Sequence, residues 1–75
     1  MRFELLGDWP GPRGTFFEAG TVIDASEPQW REIPMPLNAR ALDVDAANAL
    51  VQWHPHSQHL LHFAKGIQPT VRINV

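Results

Sequence analysis

Apolar and polar residues alternate at both ends of the chain. Residues 1–6 place Phe3 and Leu5 on one side, which is the pattern of a strand with one buried face. Residues 70–75 repeat the pattern, with Val71 and Ile73 on the apolar side. The pattern predicts one strand at each of these two positions.

Residues 14–24 have the composition of a β-hairpin. β-branched or aromatic side chains at 15–17 and 21–23 suit a pleated, half-buried surface. Gly20 lies where a short loop requires a positive φ. We therefore predict two strands paired with each other through a turn at 18–20, preceded by a glycine- and proline-rich loop at 7–14.

A short helix is predicted over residues 27–32. Ser26 has the side chain of an N-cap, and Gln29 stands where its capping-box partner belongs. Pro34 disfavours helical geometry at Ile33, so the helix should end there.

The strongest helix signal lies at residues 46–53, which are rich in alanine and leucine. Asp43 or Asp45 offers an N-cap, and Pro55 should end the helix at His54. We expect a helix from Asp45 to Trp53. Its buried stripe should contain Ala46, Ala47, Leu50, Val51 and His54.

Residues 55–65 allow two interpretations. They form either a second helix or a loop followed by a strand at 60–64. The strand is favoured, because a turn at Lys65-Gly66 would then lead into the C-terminal strand.

Together these elements predict a small α+β domain that is mostly β. We expect an SH3-like or partly open barrel of four to five short strands with one short helix. The chain of 75 residues is one domain, and its core is marginal for its size. The expected segments are a hairpin region at 1–26, a helix and proline-rich arm at 27–37, a helix and histidine-rich segment at 43–65, and a strand at 70–75.

Charge and composition exclude several classes of protein. The net charge is −2 and the six basic residues are scattered, so nucleic-acid binding is not expected. No apolar run approaches the ~18 residues of a membrane span, and the N-terminus lacks a signal-peptide pattern. A cytoplasmic or virion location is expected. Cysteine is absent, which removes disulfides and thiol chemistry.

Four histidines form the main cluster of candidate chemistry: His54, His56, His59 and His62. Imidazoles at such spacing can bind zinc, copper or nickel. No carboxylate lies inside the cluster to orient a ligand, so a surface histidine cluster without metal is favoured. No cofactor is expected, and a histidine-based metal-binding or metal-responsive protein remains the alternative function.

No arrangement of nucleophile, base and orienting group is evident, so enzymatic activity is not expected. An apolar arm at 33–37 carries two prolines, which exclude a central strand. The arm packs either on its own domain or on another molecule. Trp9 is either a lid on the core, which is favoured, or an exposed anchor. The candidate partner-binding residues are Trp9, Trp30, Ile33, Met35 and Leu37.

One resemblance is carried by the strand at the N-terminus, the Phe-x-x-Gly-Thr-Val-Ile-Asp segment and the alanine-rich helix. The residues concerned are Phe3, Leu5, Phe17, Ala19, Gly20, Thr21, Val22, Ile23, Asp24, Ala46, Ala49 and Leu50. This order resembles that of small virion-associated proteins of tailed phages and prophages, over about the first two-thirds of the chain. The resemblance implies a structural or accessory role in a virion, such as capsid decoration or a connector.

The leading expectation is a non-enzymatic binding or structural module. It would act through apolar docking and through pairing at a strand edge, for which the C-terminal strand is a candidate. The partner would be another protein or a second copy of the chain.

Overall fold

The computed structural model describes residues 1–71. Within them lie six strands and one α-helix. The elements are β1 (Arg2–Leu5), β2 (Trp9–Pro10), β3 (Phe16–Phe17), β4 (Val22–Asp24), β5 (Ala39–Ala41), α1 (Val44–Trp53) and β6 (His62–Phe63), with 3₁₀ turns at Pro12–Gly14, Pro28–Trp30 and Gln58–Leu60. The predicted class, α+β and mostly β with one helix, is confirmed.

The strands form two sheets. In the larger sheet the order is β4-β1-β5-β6, with β1 antiparallel to both of its neighbours and β6 parallel to β5. The smaller sheet pairs β2 with β3. Within residues 1–71 neither sheet closes on itself, so the strands form open sheets and no closed barrel.

The core lies between the larger sheet and α1. The register places Phe3 beside both Ile23 and Ala41, and all three side chains are buried. β5 and α1 each contribute fully buried alanines to this core: Ala39 and Ala41 on β5, and Ala46 and Ala47 on α1. Small side chains on both elements allow the helix to approach the sheet closely.

The predicted helix at 45–53 is confirmed, and Asp43 is its N-cap. The Asp43 carboxylate accepts hydrogen bonds from the amides of Ala46 (2.8 Å) and Arg2 (3.0 Å). One side chain therefore starts α1 and ties it to β1. Four members of the expected stripe, Ala46, Ala47, Leu50 and Val51, are buried. His54, the fifth, is the C-cap of α1 and is only half-buried.

The predicted hairpin across residues 14–24 is wrong in its pairing, although its turn forms. The Thr21 amide donates to the Glu18 carbonyl (3.1 Å), and Gly20 has a φ of 89°. The two arms nevertheless belong to different sheets. The second arm pairs with β1 instead: the Leu5 amide donates to the Thr21 carbonyl, and the Gly20 amide donates to the Leu5 carbonyl. This pairing brings Ile23 into the core.

The predicted helix at 27–32 is also wrong, since only the 3₁₀ turn Pro28–Trp30 forms. The Ser26 hydroxyl accepts from the Met1 ammonium (3.1 Å) and does not cap the turn. The Gln29 side chain donates to Glu27 in place of a reciprocal cap. Glu32 then adopts a φ of 64°, which ends helical geometry before Pro34.

Residues 55–65 follow the favoured interpretation in outline. A loop with the 3₁₀ turn Gln58–Leu60 leads to a two-residue strand, β6, and Gly66 turns the chain with a φ of 83°. Beyond it, Thr70 and Val71 are not in a strand, and their amides donate to the Asn48 side chain (2.7 and 3.2 Å). The remainder of the predicted C-terminal strand, 72–75, lies outside the described residues.

Candidate functional site: an aromatic cleft beside an open strand edge

Three aromatic rings from separate elements meet at one side of the core. Trp9 on β2 stacks on Phe17 on β3, with ring centroids 5.8 Å apart. Trp30, on the 3₁₀ turn after β4, lies 6.0 Å from Trp9 and 5.5 Å from Phe17. All three rings are half-buried and pack against the core. Their large rings provide apolar contact area on this side of the domain.

These rings adjoin a cleft of about 410 Å³, referred to below as the aromatic cleft. The β2–β3 hairpin, β4 and the segment that follows β4 enclose it. Its lining residues are Pro12, Arg13, Thr15, Phe17, Thr21, Val22, Ile23, Asp24, Glu27, Gln29, Trp30 and Ile33. A mostly apolar concave surface with a few polar groups is the usual form of a binding site.

The outer edge of β4 runs along this cleft. Leu5 donates to the Thr21 carbonyl (2.9 Å) and Ala25 donates to the Met1 carbonyl (2.8 Å). Since hydrogen-bonded pairs alternate along an antiparallel ladder, the backbone groups of Ile23 point to β1 and those of Val22 and Asp24 point away from it. These outward groups form the β4 edge.

Most hydrogen-bonding groups of the β4 edge are free within residues 1–71. The Asp24 carbonyl accepts from the Glu27 amide (3.3 Å). No partner is found there for the Val22 amide, the Val22 carbonyl or the Asp24 amide. The Val22 side chain is 56% exposed. A strand edge with such free groups can pair with another extended segment.

The cleft carries three charged side chains, and two of them have partners in the domain. The Asp24 carboxylate accepts from the Ser26 amide (3.0 Å), and this hydrogen bond lowers the pKa of Asp24 below its ordinary value. Glu27 accepts a hydrogen bond from Gln29. Arg13, in contrast, has no hydrogen-bond or ion-pair partner in the described part of the chain.

Arg13 is at the tip of the β2–β3 hairpin, in an unusual backbone conformation. Its φ of 58° and ψ of 36°, followed by a φ of 74° at Gly14, form a type I′ turn that the Thr15 amide closes on the Pro12 carbonyl (3.1 Å). Arginine is rare in the left-handed region, which costs a residue with a Cβ about 1–2 kcal/mol. The turn thus holds a strained arginine on the lining of the cleft.

The structure places the expected docking residues in different surroundings. Trp30 and Ile33 line the cleft, and Trp9 packs behind it on the core, as the lid interpretation proposed. Met35 is only 1% exposed and lies in the core, so the expectation that it docks a partner is wrong. Leu37 is half-buried and does not line the cleft. The arm at 33–37 therefore packs largely on its own domain.

The histidines do not converge. His54 ends α1, and its Nε2 lies 2.8 Å from the Met35 carbonyl oxygen. His56, His59 and His62 are exposed on the following loop and on β6. Within residues 1–71 no three side chains of histidine, aspartate or glutamate are arranged to hold a metal ion. The metal-binding alternative gains no support from this arrangement.

The sequence did not point to Arg13, Phe17 or Val22 as parts of one site. One signal was present: Trp9 and Phe17 each stand four residues from Arg13, as cross-strand partners around a tight turn would. The hairpin turn at Arg13-Gly14 lies inside a loop rich in glycine and proline, and the composition of that loop did not indicate a strand on either side of it.

Comparison of the chain with protein-family models, with curated proteins and with solved structures found no match. In residues 1–71 no helix has the length and apolar character needed to cross a membrane.

Proposed function

We propose that this protein is a non-enzymatic docking module, which binds an extended segment of a partner protein along the β4 edge and over the aromatic cleft. The observation that carries the proposal is the position of free backbone groups at Val22 and Asp24 directly beside an apolar cleft. Strand addition uses such groups for affinity and an adjoining pocket for specificity.

The pleat of the sheet gives each face of the docked segment its own surroundings. All three residues border the cleft, but the buried Ile23 side chain faces the core, whereas the Val22 and Asp24 side chains face the opposite side of the sheet. Side chains opposite one another in a ladder share a face. The segment residue opposite Ile23 would therefore enter the cleft towards Phe17 and Trp30, and its two neighbours would lie on the outer face.

Rigid aromatic side chains support this role. Phe17 and Trp30 are held by packing on each other and on Trp9, so few rotamers need to be fixed when a ligand binds. Aromatic anchors of this kind are enriched among the residues that dominate binding energy. Because the sequence resembles small virion proteins of tailed phages, we further propose that the partner is another protein of a virion.

The direct test is selection of random peptides of about twelve residues on the immobilised protein, followed by affinity measurements on the enriched peptide. Val22→Pro is the informative variant. It removes an outward amide and leaves the β1 hydrogen bonds of Ile23 in place, and proline is tolerated at such edge positions. Val22→Thr is the matched control, because it keeps the amide and the strand propensity.

We expect peptide affinity to fall at least about tenfold in Val22→Pro, since an edge hydrogen bond and the close approach of the segment are lost. Val22→Thr should bind as the natural chain does. Circular dichroism must show that both variants are folded. Failure to select any peptide, or equal binding by a folded Val22→Pro protein, would contradict the proposed function.

A further inference from the structure

We propose that the docked segment carries an acidic side chain that pairs with the Arg13 guanidinium, close to an apolar side chain that rests on Phe17 and Trp30. This inference rests on the docking function proposed above and names the chemistry of its partner.

Arg13 is the cation on the lining of the cleft and the group there that an acid can bind. Of the two carboxylates on the lining, Asp24 lies 3.8 Å from the Met1 ammonium and accepts from the Ser26 amide, and Glu27 accepts from the Gln29 side chain. Arg13 is the one charged lining residue without a partner among those that the structure describes. A planar guanidinium binds a carboxylate through two parallel hydrogen bonds, which neither a lysine nor an amide reproduces.

The backbone at Arg13 provides a second reason. A glycine or asparagine at this turn position would relieve the left-handed strain, and an arginine does not. Strained residues cluster at binding sites, where the geometry that they impose is part of the mechanism. Here the strained conformation places a long, unpaired cation at the hairpin tip, on the lining of the cleft.

Geometry limits where the acid can be placed. The apolar anchor faces Ile23 and the cleft, so an acid on the same face of an extended segment lies two residues away, or a multiple of two. Arg13, Thr15 and Phe17 all line the cleft along the hairpin. The expected ligand pattern is an apolar residue and an aspartate or glutamate separated by an even spacing.

The test selects the same random peptides in parallel on the natural protein and on Arg13→Gln, an exposed position where the substitution should not disturb folding. We expect an acid at a fixed, even spacing from an apolar residue on the natural protein, and no such preference on Arg13→Gln. The selected acidic peptide should bind Arg13→Gln about fivefold more weakly, with Arg13→Lys in between.

A double-mutant cycle distinguishes a direct pair from an indirect effect. Replacing the acid of the peptide by its amide should cause a similar loss on the natural protein and little further loss on Arg13→Gln. The affinity for the acidic peptide should also decrease with added salt.

The outcomes separate this inference from the function on which it rests. Selection of apolar peptides without an acid, whose binding is still lost in Val22→Pro, would keep the docking function and overturn the inference. Failure to select any peptide would overturn both. A dimer detected by light scattering and dispersed by Val22→Pro would assign the edge to a second copy and would also overturn the inference.

Discussion

The rings of Phe17 and Trp30 lie with their centroids 5.5 Å apart and their planes inclined by 51°, although one belongs to the β2–β3 hairpin and the other to the turn after β4. This contact joins the two sides of the aromatic cleft. Because the smaller sheet has only two short strands, the contact also fixes the hairpin on the core. Changes that displace either ring should therefore affect both the stability of the domain and the shape of the cleft.

Gly11→Ala should displace Phe17. A Cβ at Gly11 would stand 2.6 Å from the Phe17 ring, closer than any ordinary contact. We expect the free energy of unfolding to fall by about 1–3 kcal/mol and the near-ultraviolet circular dichroism of the tryptophans to change.

Gly20→Ala is the matched control for this change. Its φ of 89° strains an alanine, but no atom lies within 4 Å of the new Cβ. It should lower stability by about 1 kcal/mol without altering the aromatic signal. A Gly11→Ala protein with an unchanged aromatic spectrum would contradict the placement of Phe17 beside Gly11.

Met35→Ala should destabilise the domain by about 2–5 kcal/mol, because the Met35 side chain is buried in the core and its loss leaves a cavity. Leu37→Ala, at a half-buried position, should cost clearly less. Urea denaturation of both variants measures the difference. Equal, small losses of stability in both variants would mean that the arm at 33–37 does not pack on its own domain, which is the alternative that the sequence left open.

Arg13→Asn should stabilise the isolated protein by about 0.5–1 kcal/mol, since asparagine tolerates the left-handed region better than arginine. Arg31 has an ordinary φ of −58°. Arg31→Gly should therefore lower the free energy of unfolding by roughly several tenths of a kcal/mol, because glycine gives the unfolded chain more freedom. Opposite signs of the two changes in thermal unfolding would support the backbone geometry at the hairpin tip.

Asp43 should make stability depend on pH in acid. Partial burial raises the pKa of the Asp43 carboxyl, but the hydrogen bonds from the Ala46 and Arg2 amides lower it by more. The net pKa therefore lies below its ordinary value of 3.8. A lowered folded-state pKa stabilises the fold above the unfolded-state pKa. This contribution is lost as the pH falls through the folded-state value.

Asp43→Ala should therefore cost about 1 kcal/mol at neutral pH, and less as the pH falls below about 4. Asp43→Asn caps the helix at every pH, so its stability relative to the natural protein should improve in acid. Urea denaturation at pH 7 and near pH 3 makes both comparisons. A cost for Asp43→Ala that does not change with pH would contradict the carboxylate cap.

Local signals determined what the sequence alone could establish. Alternation defined β1, and alanine content with an acidic cap defined α1 and its buried stripe, because these elements follow from side-chain periodicity and nearby hydrogen bonds. The class, α+β and mostly β with one helix, followed from them. The turn at 18–20 was also correct, since it depends on the conformational freedom of Gly20.

Tertiary structure alone decided the strand pairing and the cleft. Residues 15–17 and 21–23 had the right composition to pair with each other, but β4 pairs with β1 because that register buries Ile23 beside Phe3. Such a competition depends on residues distant in sequence and on the shared core, and no local pattern records it. The separation of the two arms opens the aromatic cleft, so the candidate site exists only because the local hairpin did not form.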